Sequence, residues 1–358
     1  MRKGKTMKIS KNVIAGAIKL LKGVEMKSAN YGLLYSNGEL KARSENMGVK
    51  MKLGIQDKDM FIIPPKALTM IENMPGGDIE ITCKGTELTV AQGKIRSTFE
   101  TMDAVLFPEV PEVEHNAEFR IDGFTFIAAV KKVAYAAAQS ESRKPILRSI
   151  YIDIRRGKAD FVATDSWRVA TYTADVEGED FNIAIPRDAA LKACEMIAED
   201  TELVIYKSDR AAELVTDRFT IYTQLQSGEY LDYKKVLQGI GGHEVKVKRH
   251  EIEAALKRVS VIIPAATKAG NVTPCKCRFT NTELKLGATG NGSDYTESLE
   301  IYGAADVKIG FNTNYLIDAV KALSDATIFI KVSTPTAPIR IRDSISSAVV
   351  LPVRLYGE

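Results

Sequence analysis

Along the 358-residue chain, hydrophobic positions change period in the same order three times. An alternating apolar–polar run predicts a short strand, and an apolar stripe at i, i+3 and i+4 then predicts an amphipathic helix. This pairing occurs at residues 7–23 (MKISKNVIAGAIKLLKG), 118–138 (EFRIDGFTFIAAVKKVAYAAA) and 244–263 (EVKVKRHEIEAALKRVSVII). A second pairing of strand, turn and helix occurs at 60–74 (MFIIPPKALTMIENM), 181–198 (FNIAIPRDAALKACEMIA) and 307–323 (VKIGFNTNYLIDAVKAL). Strand-like alternation follows at 79–90, 203–224 and 328–342, and each copy closes on one more apolar strand.

The second pairing recurs about every 120 residues, a domain's length and well beyond the roughly 20–50 residues of a solenoid repeat. Turn-rich stretches at 107–111 (FPEVP) and 238–242 (QGIGG) separate the copies. The expectation is an α+β chain of three similar domains, 1–115, 116–242 and 243–358, each with two helices packed on antiparallel sheets.

The helices carry a recurrent charge. In the first, Val13, Ile14, Ala17, Ile18 and Leu21 form the apolar stripe, while Lys11, Ala15, Lys19 and Lys22 share another face. Lys131 and Lys132 interrupt an apolar helix in the second copy. In the third, Ile252, Leu256 and Val259 face inward opposite Arg249, Glu253 and Lys257. The second helices add Lys66, Arg187 with Lys192, and Lys321, and the basic pair Arg143 and Lys144 is counted with them. Singly, each is an ordinary solvated face. Recurrence in equivalent helices points to a shared basic surface that follows phosphates without reading bases.

Composition narrows the classes. Hydrophobic residues at 45% and charged residues at 27% are globular values, and no apolar run reaches a membrane span. The basic N-terminus lacks an apolar signal core, so a cytoplasmic protein is expected. Four scattered cysteines read as reduced thiols. With a net charge of +3, any nucleic-acid role depends on where the charges sit.

Enzyme readings find little support. Asp165-Ser166 beside Arg168 lacks the Gly-x-Ser-x-Gly context of a serine nucleophile, and only His115, His243 and His250 are present. Cys275-x-Cys277 has no second ligand pair and reads as alternating strand thiols. The glycine-rich stretch 287–292 reads as a hairpin turn, and no Gly-Lys-Ser/Thr follows it. Neither catalysis nor a cofactor or metal is expected.

Four segments resemble the bacterial DNA sliding clamps, the beta subunit of DNA polymerase III. They are ATDSWRVA (163–170), EYLDYKKVL (229–237), GFNTNYL (310–316) and LPVRL (351–355), in the family's order on the triple repeat. The resemblance implies a clamp fold whose subunits pair head to tail into a homodimeric six-domain ring. Helices would line the hole around duplex DNA, making the ring a processivity factor. A pocket between the second and third domains would receive peptides of the replicative polymerase, the clamp loader and other partners. Carried over, it comprises Leu147, Thr164, Ser166, Trp167, Arg168, Val169, Leu231, Lys235, Val236, Val349, Leu351, Pro352, Val353 and Arg354. For the joint between subunits, the resemblance points to Lys94, Arg96 and Phe99 meeting Val261, Ile262, Asp294 and Glu297.

The chain departs from the family at Trp167 (usually His), Leu231 (Pro) and Lys235 (Arg). It also has a short loop at 23–30 and three residues, Tyr356-Gly357-Glu358, past the usual end. These departures imply a divergent clamp, of phage or mobile-element type. The competing reading is a DNA-binding module that never closes into a ring.

Overall fold

The computed structural model describes residues 5–24, 31–139, 144–263, 273–290 and 292–355. Arg143, the tail Tyr356-Gly357-Glu358 and most of the short loop at 23–30 lie outside the described residues. Seven α-helices form among them: α1 (Lys11–Leu21), α2 (Pro65–Asn73), α3 (Gly123–Val133), α4 (Arg187–Met196), α5 (Tyr233–Gln238), α6 (Arg249–Ile262) and α7 (Thr313–Ala322).

The predicted apolar stripes form the core. Ile14, Ala17, Ile18 and Leu21 of α1 are buried, as are Ile252, Ala255, Leu256 and Val259 of α6. Each large aliphatic side chain so buried contributes about 1.5–3 kcal/mol. Val13 corrects the expectation, being 48% exposed. The i, i+3, i+4, i+7 stripe is already complete without it, and Val13 sits one position off that stripe in the first turn. Local chemistry starts several helices. Pro65 occupies the first turn of α2, and the side chains of Asp232 and Asn312 cap α5 and α7.

Contacts divide the chain into two compact units, residues 1–124 with 192–225, and residues 125–191 with 226–358. In the first, a four-stranded sheet runs Lys5–Ser10, Asp78–Lys84, Glu87–Gln92, Ile95–Glu100. A larger antiparallel sheet runs Ala117–Asp122, Glu202–Lys207, Ala211–Val215, Phe219–Gln224, Met47–Lys52, Glu39–Arg43, Leu33–Ser36, Met60–Ile63.

In the second unit, an eight-stranded antiparallel sheet runs Asn182–Pro186, Ser149–Arg155, Lys158–Thr164, Arg168–Asp175, Ser346–Val350, Ile339–Arg342, Thr327–Val332, His243–Lys248. A four-stranded sheet runs Ser293–Glu300, Glu283–Gly290, Cys275–Phe279, Val307–Phe311.

The compact units do not follow the three sequence copies because the sheets cross from copy to copy. Phe219 pairs with Met51 in the first unit, and Arg168 pairs with Val350 in the second. Sheet edges that would otherwise be bare are thereby covered. The stretch 287–292 is corrected in part: Gly287 and Gly290 lie in strand, and Gly292 is a turn residue. Cys275 and Cys277 are buried on one strand face with sulfurs 4.0 Å apart. The Cys275 thiol, then burial, raises the pKa of Cys277.

Candidate partner pocket, basic helices and free edges

A cavity of about 510 Å³ opens in the second unit. One wall is the turn between Lys158–Thr164 and Arg168–Asp175. Asp165 Oδ1 accepts from the backbone N–H groups of Trp167 (2.9 Å) and Arg168 (3.1 Å), an aspartate turn. Thr164 Oγ1 accepts from Ser166 N–H at 3.1 Å and donates to the Arg168 carbonyl at 2.7 Å. Ser166 adopts φ +79°, a left-handed conformation uncommon outside glycine. The turn presents Trp167 at the rim, 61% exposed.

The Arg168 guanidinium anchors the turn. It donates to Asp165 Oδ2 (3.0 Å), Asp318 Oδ2 (2.6 Å) and the Tyr135 carbonyl (2.7 Å), and lies 4.4 Å from the Tyr315 ring centroid. A planar donor fork suits this set as an ammonium would not.

The opposite wall is the segment leading into α5. Tyr230 stacks on Tyr151 with centroids 4.6 Å apart. The Tyr233 hydroxyl lies 2.7 Å from Asp160 and 3.1 Å from Asp153, which Lys234 also reaches at 2.7 Å. Burial, then the Asp160 carboxylate, push the Tyr233 hydroxyl well above the usual phenol range, so it stays a donor.

Leu147, Thr164, Ser166, Trp167, Arg168, Val169, Leu231, Val236, Val349 and Leu351 line this one cavity. Lys235, Pro352, Val353 and Arg354 do not. Lys235 turns to Asp232 at 2.9 Å, and Val353 bridges Gly310 instead. The lining also includes Lys144, Glu229, Tyr230, Asp232 and Pro338. Glu229, Tyr230 and Asp232 sit inside a segment already singled out. Pro338 had no local signal, since only the pairing of Ile339 with Val350 brings it there.

The basic residues separate into two groups. Lys19, Lys66, Lys131 and Lys321 are exposed, and Lys11 is half-buried. The others hold contacts within the chain. Lys132 donates to the Ala322 carbonyl and to Ser324 Oγ (2.6 Å), and burial lowers its pKa. Lys192 donates to the carbonyls of Leu20 (3.1 Å) and Lys22 (3.3 Å) and pairs with Glu195. Arg187 donates to the Ala134 carbonyl at 3.0 Å. Lys132 and Lys192 reach carbonyls at the C-terminal ends of α7 and α1, where backbone acceptors lack helical partners. Lys22 pairs with Glu72, Lys257 pairs with Glu253, and Lys144 belongs to the pocket lining.

Ile95–Glu100 in the first unit and Ser293–Glu300 in the second each end a four-stranded sheet and, among the described residues, pair as strands on one side only. Arg96 and Phe99 lie on the former, with Lys94 just before it. Asp294 and Glu297 lie on the latter. Val261 is 80% exposed and Ile262 half-buried at the end of α6. Glu297 is already held by Arg258 through contacts of 2.9 and 2.6 Å. No group of three or more His, Cys, Asp or Glu residues suited to a metal ion occurs among the described residues, and no helix there is long and apolar enough to cross a membrane.

Repeated helix pairs on antiparallel sheets, with a preformed apolar cavity and free sheet edges, define a clamp-type architecture. The family descriptions "DNA polymerase III beta subunit, central domain" and "C-terminal domain" match residues 120–232 and 241–354. The chain is 25% identical over 286 residues to the beta sliding clamp of Pseudomonas aeruginosa, covering 77% of this chain and 76% of that one. It is 22% identical over 358 residues to that of Bacillus subtilis, covering 95% and 93%. The DNA polymerase III beta subunit structure from Pseudomonas aeruginosa superposes with a TM-score of 0.89 at 21% identity, covering 98% of this chain and all of that one. That from Thermotoga maritima gives 0.86 at 22%, covering 98% and 99%. The chain belongs to the bacterial-type DNA sliding clamps, as a divergent member.

Proposed function

We propose that two copies of this chain close head to tail into a ring around duplex DNA, and that the ring slides while tethering the replicative polymerase. The carrying observation is the preformed cavity, whose apolar floor and exposed Trp167 suit the anchors of an extended peptide. Peptides of the polymerase, the clamp loader and other DNA-handling proteins would compete for it. Each chain would supply three domains, 1–115, 116–242 and 243–358, to the ring. The chain tethers and performs no chemistry of its own, and it acts in the cytoplasm, where a bacterial chromosome lies.

The outer sides of the edge strands Ile95–Glu100 and Ser293–Glu300 support the subunit joint, because a bare edge is a template for a partner strand. Lys94 and Arg96 on one side and Asp294 on the other give the pairing a direction. Among the described residues, Lys11, Lys19, Lys66, Lys131 and Lys321 would follow phosphates, with the exposed ammonium groups of Lys22 and Lys257 beside them. A ring is retained by topology, so a few weak contacts suffice and permit sliding.

Loading onto DNA tests this reading. The chain should form a dimer near twice 39.3 kDa. Once loaded, it should persist on circular DNA and run off linear DNA with free ends. Equal retention on both forms would favour a DNA-binding module that never closes.

A further inference from the structure

The eight-stranded sheet of the second unit carries a charged face beside the pocket. Residues directly opposite on antiparallel strands project to the same face. The register Lys331, Arg340, Val349 therefore places Arg340 next to a pocket-floor residue. Two residues along each strand, Lys246, Phe329, Arg342 and Ser347 form the next row. The Arg342 guanidinium stands 4.4 Å and the Lys246 ammonium 5.5 Å from the Phe329 ring centroid. Arg340 Nε donates to Ser347 Oγ at 2.8 Å.

Four cations thus share two rows with a single carboxylate, Glu244, which Arg342 already holds at 2.9 Å. Like charges on neighbouring strands are destabilising. Burial, then the Arg342 charge, push the Arg340 guanidinium down from its ordinary range. Neutral polar residues would serve the sheet better. An acidic segment running out of the adjoining cavity would neutralise this surplus.

We infer that a peptide anchored in the pocket continues over Arg340 and Arg342, and that favoured partners carry acidic residues beside their apolar anchors. The inference rests on the pocket reading above. A nucleic-acid strand would also answer the charge, but Phe329 is already engaged by two cations and offers no clear stacking platform.

Fluorescence anisotropy with the full chain tests it. The probes are a labelled peptide with leucine and phenylalanine anchors and a run of glutamates, made with the run on either end, and counterparts with glutamines. One glutamate form should bind about fivefold tighter than its glutamine counterpart at moderate salt, an advantage that shrinks as salt rises. Arg340→Gln with Arg342→Gln should remove that advantage while leaving the glutamine peptide's affinity unchanged. Equal affinity of all forms for the unmodified chain overturns the inference and leaves the pocket standing. If Trp167→Ala with Leu351→Ala weakens neither form, the pocket reading falls, and the inference with it. If labelled oligothymidylate binds the same arginines more tightly than the glutamate peptide, the surface belongs to nucleic acid and the inference is overturned.

Discussion

The pocket wall that carries Trp167 is anchored by a cation, and the wall that carries Leu231 is anchored by phenols. On the first, one guanidinium ties the turn to Asp165, Asp318 and the Tyr135 carbonyl, leaving the tryptophan free at the rim. On the second, Tyr230 and Tyr233 lie over the sheet and reach carbonyls and carboxylates beneath. The first arrangement concentrates its stability in a single residue, whereas the second spreads it. In the proposed reading the peptide meets the exposed tips of both, so substitutions at the anchors and at the tips should have different signatures.

The largest effect should come from Arg168→Ala. Breaking a buried ion pair typically costs about 3–5 kcal/mol. The Asp318 carboxylate is 39% exposed, so solvent screens part of the loss and the lower end, about 3 kcal/mol, is expected. A urea-denaturation midpoint measures it. Arg168→Lys keeps the charge but not the fork and should fall between. If Arg168→Ala is neutral, the turn is held by the Asp165 and Thr164 backbone contacts alone.

Tyr233→Phe should come next, at about 1–3 kcal/mol, because it removes the donor shared by the buried Asp153 and the half-buried Asp160. Lys234 still reaches Asp153 and Thr173 still donates to Asp160, so neither carboxylate is left without a donor and the lower part of that range is expected. Tyr230→Phe should cost less, since its hydroxyl contacts are long, 3.3 and 3.5 Å, and go to carbonyls. Equal costs for the two would mean that the wall is held by ring packing and the hydroxyls are incidental.

This contrast also marks what the sequence could convey. The helices and strands were legible because periodicity reports burial directly, and most of the pocket lining followed from the segments 163–170, 229–237 and 351–355. The partners of the cations were not legible. Lys132 and Lys192 look like Lys19 and Lys131 in sequence, since every one is a lysine on an amphipathic helix. They differ in whether a distant helix end lies within reach of the ammonium, as the carbonyls of Ala322 and Leu20 do. That depends on tertiary packing between residues far apart in the chain. Pro338 was hidden for the same reason, and Val13 because one position off a stripe is beyond what periodicity resolves.

At the tips, stability and binding should separate. Trp167→Ala removes an exposed ring and should change the denaturation midpoint by no more than about 0.5 kcal/mol. Peptide affinity should nevertheless fall by about 2 kcal/mol, as expected for an aromatic anchor. A comparable loss in both measurements would make Trp167 part of the framework.

The smallest effect should be acid sensitivity at Asp232. Lys235, through its side chain and then its backbone N–H, holds this carboxyl below the ordinary aspartate value of 3.8. A depressed pKa means the contribution to folding is fully present above 3.8 and is lost as pH falls through the folded-state value. Asp232→Asn retains a helix-capping oxygen without the charge. Below pH 3.8 the variant's melting temperature should fall less steeply than the parent's. Parallel acid profiles would show that the cap acts through its hydrogen bond alone, and that charge contributes to the pocket only on the Arg168 side.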